Sequence, residues 1–148
     1  MENVAGNTGR RISSQSDEPK STKTEFKTGD ILYGRLRPNL NKVWKSDFDA
    51  ICSTDFIVLR AKNDVYPDYL TALLLSKSIN KEIVRGVTGA NLPRVSSEYL
   101  LNIEIALPPL ETQKQIADWF AEEAEIIAAN RKLITLYEAK IADTLANI

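Results

Sequence analysis

The chain has 148 residues, 43% apolar and 26% charged, with net charge −1; this is the make-up of one globular domain, alone or with an appendage, and not of a disordered or collagen-like chain. It holds no histidine and one cysteine, which excludes Ser-His-Asp triads, Cys-His dyads, the usual Cys/His zinc sites and an internal disulfide framework. No apolar run approaches the roughly 20 residues of a membrane span, so the expectation is a chain without a membrane partner or secretion signal, in a reducing cytoplasm.

Residues 1–25 are rich in Asn, Gly, Ser and Thr and read as a short strand at best, followed by a mobile loop. Strand signals follow at DILYG (30–34), NKVW (41–44) and DFIVLR (55–60). Cys52, inside AICSTDFIVL, reads as a small buried apolar group. From Tyr66 the period becomes helical: Pro67 suits a first turn, and Tyr69, Leu70, Leu73, Leu74, Ile79, Ile83 and Val84 share a face. A break is expected near Ser76–Ser78 and a stop at Gly86. VTGANLPR then reads as a loop, Ser96 as the cap of a short helix SSEYLL, and NIEIAL (102–107) as a half-buried strand ended by Pro108 and Pro109.

Beyond the prolines, Thr112 with Gln115 fits a capping box, and neither Gly nor Pro occurs through Ile148. Phe120, Ile127, Ile134, Ile141 and Ile148 fall seven apart, and so do Trp119, Ile126 and Leu133 beside them. Ile116, Tyr137 and Leu145 widen that face. A helix over 111–148 would be about 57 Å long, with an apolar seam longer than the preceding domain can cover. Such a seam asks for a second helix, and Glu123, Asn130 and Thr144, which interrupt it, favour one register.

The charge is polarised. Residues 20–45 carry seven cations and two acids, whereas 111–148 carry four cations and seven acids, which points to two different partners. If 31–37 is extended, Tyr33, Arg35 and Arg37 face one way, and Pro38 keeps Arg37 in the β or polyproline region. Two guanidinium forks followed by Asn39, Asn41 and Lys42 suit a duplex: arginine grips guanine or phosphate, and asparagine pairs with adenine. A solvated strand end with an Asn-rich turn is the simpler account on composition alone. In GVTGANLPR (86–94), Gly86, Gly89, Asn91 and Arg94 suit a loop laying backbone N–H groups on phosphate; an ordinary helix-ending loop is again simpler for the segment alone. There is no P-loop, no Gly-rich cofactor loop after a strand and no Asn-Pro-Pro-aromatic tetrapeptide. Pro67-Asp68 with Glu138-x-Lys140 is nuclease-like in letters only, because the last two lie on the amphipathic helix. The expectation is a non-enzymatic chain with no cofactor and no metal.

Taken together, ENVAGNTG (2–9), FKTGDILYGRLRPNLNKV (26–43), CSTDFIVLR (52–60), YLTALLLS (69–76), TGANLPRVSSEYLLNIEIALPPLETQKQI (88–116) and the long terminal helix resemble the specificity subunits of type I restriction–modification enzymes. The resemblance implies an α/β (α+β) fold: a mixed-sheet target-recognition domain over 1–110, then a coiled-coil helix over 111–148. Family domains usually carry several tens of residues before the ENV…TG segment, so the domain is expected to be incomplete there. The resemblance also implies a non-catalytic subunit in which each recognition domain reads half of a bipartite site in double-stranded DNA. Methylation and cleavage belong to separate modification and restriction subunits. Lys23, Lys27, Arg35, Arg37, Asn39, Asn41, Lys42, Lys45, Asn91 and Arg94 are the expected DNA-facing residues, with Lys23, Lys27 and Lys45 on phosphates. Trp119, Phe120, Ile127, Ile134, Tyr137 and Ile141 are expected to pair the helix with a second recognition half or a second copy. Two alternatives stay open: a truncated module that only pairs with a full subunit, and a detached recognition domain of a fused adenine methyltransferase–nuclease.

Overall fold

The structure, a computed structural model, describes residues 4–12, 23–89 and 91–146; residues 13–22, part of the segment 1–25 expected to hold a mobile loop, and Ile148 of the apolar row lie outside them. In chain order the elements are β1 (Lys23–Phe26), β2 (Ile31–Gly34), a 3-10 turn (Pro38–Leu40), β3 (Val43–Lys45), β4 (Ala50–Ser53) and β5 (Phe56–Leu59). There follow α1 (Pro67–Leu75), α2 (Lys77–Arg85), β6 (Val87–Thr88), β7 (Arg94–Val95), α3 (Ser97–Leu101) and α4 (Leu110–Ala146).

β2 is the centre of a three-stranded antiparallel sheet ordered β3-β2-β5, and all four of its residues are buried. Both faces are covered, so the strand shows no polar alternation. Ile31 and Tyr33 pack with Val43, Ile57, Leu74, Ile83, Val95 and Leu100. Leu32 packs on the other side with Val4, Phe26, Trp44 and Cys52. Each such side chain stabilises the fold by roughly 1.5–3 kcal/mol. β1 pairs with β4, and β6 with β7, as separate two-stranded ladders. The sequence signals no separate strand at any of these four, which are only two to four residues long and carry no sustained alternation of buried and exposed positions. Cys52 is buried, as expected.

The break between α1 and α2 falls at Ser76, whose backbone is extended (φ −66°, ψ 146°) and whose Oγ accepts from the Ile79 N–H. Ser96 caps α3 in the same way, accepting from the Tyr99 N–H at 3.0 Å. Two expectations fail. Residues 102–107 join no ladder: alternation half-buries Ile103 and Ile105, but a strand also needs a partner edge. Here a side chain serves instead, Tyr69 Oη donating to the Ala106 carbonyl at 2.9 Å. Nor does Thr112 cap the long helix, which begins at Leu110.

The polar anchor of that helix is Gln113, 1% exposed. Its Oε1 accepts from the Tyr66 N–H at 2.8 Å, and its Nε2 donates to the carbonyls of Asp64 (2.9 Å) and Pro108 (2.8 Å). Gln113→Ala would remove the side-chain partner of three part-buried backbone groups. The expected cost is about 3 kcal/mol, read as a lowered thermal midpoint. Past this anchor α4 leaves the domain. Its 37 residues span about 55 Å, and only Gln113 and Ala117 are buried. Trp119, Ile127, Ile134 and Ile141 are 58%, 49%, 57% and 60% exposed. Among the described residues no helix is long and apolar enough to cross a membrane.

Candidate nucleic-acid interface

Three distant segments meet at the Gly34 end of β2. The Gly34 N–H donates to Lys42 O at 2.7 Å, and the Arg35 N–H to Asp55 O at 2.9 Å. The Val95 N–H donates to Arg35 O at 3.1 Å, and the Arg37 N–H to Pro93 O at 2.8 Å. The Arg35–Lys42 turn and the β6–β7 hairpin, which are far apart in sequence, therefore lie side by side.

The extended alternation does not reach Arg37. Arg37 is left-handed (φ 51°, ψ 62°) and exposed, so Arg35 and Arg37 do not share a strand face. The pre-proline preference for extended backbone yields to closure of the 3-10 turn, in which Leu40 N–H donates to Arg37 O and Asn41 N–H to Pro38 O, both at 2.9 Å. A left-handed arginine costs on the order of 1–3 kcal/mol.

Asn41 is also left-handed (φ 44°), a conformation asparagine tolerates. It is fully buried; its Nδ2 donates to the Leu75 carbonyl at 3.3 Å, and its own carbonyl accepts from Asn7 N–H at 3.0 Å. Asn41 is therefore a corner pin and does not present its amide to a base. The turn over residues 4–11 rests on this corner, and Gly6 permits it: a Cβ there would stand 2.3 Å from the Leu40 carbonyl oxygen. Asn39 stays exposed, and Asn80 Nδ2 holds the turn from α2 by donating to Pro38 O at 3.1 Å.

The cations divide by strand register. Arg35, Arg37, Lys42 and Arg94 gather at the Gly34 end, and Lys23, opposite Ser53, borders the same β4–β5 turn. Arg37, Arg94, Asn91 and Lys23 are exposed, Lys42 and Arg35 half-buried. Among the described residues neither Arg35 nor Arg37 forms an ion pair, and Arg35 Nε is buried without a hydrogen-bond partner. Lys45 pairs across from Ile31, at the other end of β2, and is bound to Asp68. Lys27 stands there too, its N–H donating to Asp30 Oδ2 at 2.8 Å. A four-residue strand, roughly 10 Å, thus separates Lys27 and Lys45 from the arginines, and the structure does not unite the expected set.

Two features escaped the sequence reading. Arg10 and Arg11 line a shallow cavity of about 500 Å³ with Gly9, Trp44, Asp47 and Phe48, and the Arg11 guanidinium lies 4.9 Å from the Phe48 ring centre. Asp55 sits among the gathered cations, accepting from Arg94 Nη2 at 3.1 Å. Among the described residues no cluster of His, Cys, Asp and Glu is placed to hold a metal ion.

The acid end is structural. Arg60 donates through Nε (2.8 Å) and Nη2 (2.6 Å) to both oxygens of Asp30, a carboxylate 3% exposed. The hydrogen bonds from Arg60 outweigh burial and, with the Lys27 N–H, hold the Asp30 carboxyl below its usual range. A depressed carboxyl stabilises the fold above its unfolded pKa and stops doing so as pH falls through the folded value. Asp30→Asn should therefore lower the thermal midpoint by several degrees at neutral pH. The deficit should shrink at pH 3 and below, in melts followed by circular dichroism.

Residues 2–135 match the family model described as Type I restriction modification DNA specificity domain. The EcoDI specificity subunit of Escherichia coli is 32% identical over 100 residues, 68% of this chain and 22% of that protein. The HindI specificity subunit of Haemophilus influenzae is 29% identical over 113 residues, 72% and 25% of the two chains. The crystal structure of the HsdS subunit from Thermoanaerobacter tengcongensis superposes with a TM-score of 0.75 at 26% identity, covering 89% of this chain and 36% of that one. A chain solved in work on complex assembly and conformational transition of the type I R-M system gives 0.76, also at 26% identity and the same coverage. The chain spans about a fifth to a quarter of the length of the curated relatives it matches.

Proposed function

The chain belongs to the type I restriction modification DNA specificity domain family, and from that premise we propose that it binds double-stranded DNA sequence-specifically. It does so as part of a specificity subunit that directs methylation and cleavage by partner subunits and carries out neither reaction itself. The observation that carries this reading is the meeting of two turns at one end of β2, where Arg35 and Arg37 make no ion pair among the described residues. In this reading Arg35, Arg37, Asn39, Asn91 and Arg94 meet bases or phosphates, and Lys23 and Lys42 meet phosphates. Residues 1–110 are the recognition unit. Over 111–148, the helix pairs through Trp119, Phe120, Ile127, Ile134, Tyr137 and Ile141 with a second recognition half or a second copy. The curated relatives are specificity subunits, which does not favour a pairing-only module or a detached methyltransferase–nuclease domain.

The test is fluorescence anisotropy on labelled duplexes across a salt series, for the chain alone and with a co-expressed modification subunit. Binding should weaken with salt, log K falling by about 0.9 per phosphate neutralised. Absence of salt-dependent binding in both preparations would refute the reading.

A further inference from the structure

We infer that Asp55 is a positioning residue for base recognition: its carboxylate holds the Arg94 guanidinium so that the free edge meets a guanine in preference to the phosphate backbone. This rests on the DNA-binding reading above and names the group that gives it selectivity at one base.

Asp55 is pinned on three sides. Its carbonyl accepts from the Arg35 N–H at 2.9 Å, its N–H donates to Ser53 Oγ at 3.1 Å, and its Oδ1 accepts from Arg94 Nη2 at 3.1 Å. The Arg94 and Asp55 side chains are 48% and 34% exposed, so the pair faces solvent and adds little to stability. Its placement is costly for a polyanion binder, since a carboxylate next to Arg94 and Arg35, at the β2 end where the other cations gather, repels phosphate oxygens. That cost makes sense where selectivity is gained. An arginine with a free guanidinium swings to the nearest phosphate and carries no sequence information. With Nη2 held, Arg94 keeps the remaining N–H donors of its planar fork, and its rotamer is biased toward this pose before DNA arrives. The O6 and N7 acceptors of guanine carry no net charge, so the neighbouring carboxylate rejects them far less than it rejects phosphate.

The experiment uses the whole 148-residue chain and a pool of randomised duplexes, sequencing those retained by wild type, Asp55→Asn, Asp55→Ala, Asp55→Glu and Arg94→Ala. Wild type should prefer guanine at one position by about tenfold and lose that preference when 7-deazaguanine, which lacks the N7 acceptor, replaces guanine. Arg94→Ala and Asp55→Ala should reduce the preference to about twofold or less, and Asp55→Glu should recover part of it. Asp55→Asn, which is isosteric and guards against misfolding of the alanine variant, should bind unselected duplex several-fold more tightly while discriminating less. A merely structural Asp55 would weaken binding to all sequences alike. The inference is overturned if folded Asp55→Asn keeps the full guanine preference, or if Arg94→Ala does. If wild type retains no duplex at any salt, alone or with the co-expressed modification subunit, the DNA-binding reading itself fails; if wild type shows no guanine preference, or selects and these variants select equally well, only the role of Asp55 falls.

Discussion

Ile127→Asp combined with Ile134→Asp is expected to leave the chain monomeric in light scattering at concentrations where the wild type is paired, a loss of at least roughly a thousandfold in association. Both side chains lie on α4 far beyond its last buried residue, Ala117, in a row with Phe120 and Ile141 that no described part of the chain covers. Burying one isoleucine against a partner contributes about 1.5–3 kcal/mol, and a second copy would lose both contributions again. The substituted carboxylates would also have to be desolvated in the seam or force it open. The helix itself should survive, because aspartate costs it only about 0.5 kcal/mol per position relative to alanine. At concentrations low enough that neither chain is paired, the domain melt should therefore not move, which separates loss of pairing from loss of folding. A variant still dimeric at wild-type affinity would place the self-association surface elsewhere.

What the sequence made legible follows from range. The break at Ser76 and the cap at Ser96 depend on a hydroxyl and an N–H three residues on, and both were readable. So was the heptad row of α4, because periodicity along one helix needs no knowledge of what packs against it. The left-handed backbone of Arg37 was not, since it depends on a hydrogen bond to Pro93, and local rules for a residue before proline point the other way. Asn41 looked like a solvent-facing turn residue until the Asn7 and Leu75 contacts placed it inside. The cations of 23–45 looked like one patch because they are close in sequence, but a strand carries its two ends to opposite sides of a site. Lys45 and Arg35 are separated by that geometry alone. Asp55 lies 39 residues from Arg94, and no spacing rule links a turn acid to a hairpin cation at that distance.

That division of the cations sets up the second large effect. Arg35→Ala with Arg37→Ala should weaken duplex binding by roughly 30- to 1,000-fold near physiological salt, two charged contacts at about 1–2 kcal/mol each. If both side chains sit on phosphates, the slope of log K against log salt should fall by about 1.8; if one reads a base, by about 0.9. The matched control is Lys27→Ala with Lys45→Ala, which removes the same formal charge from the opposite end of β2 and should change affinity by no more than about threefold, through long-range screening alone. Two further variants isolate backbone from charge. Arg37→Gly suits the left-handed conformation, so it should keep or raise stability while losing the same affinity as Arg37→Ala. Arg35→Lys keeps the charge but not the fork, and because Arg35 Nε is buried without a partner, its folding should be checked by melting before its binding is interpreted. Equal losses from the arginine and lysine pairs would mean that DNA responds to net charge and not to this corner of the fold. A loss confined to the arginine pair would tie recognition to the place where the two turns meet.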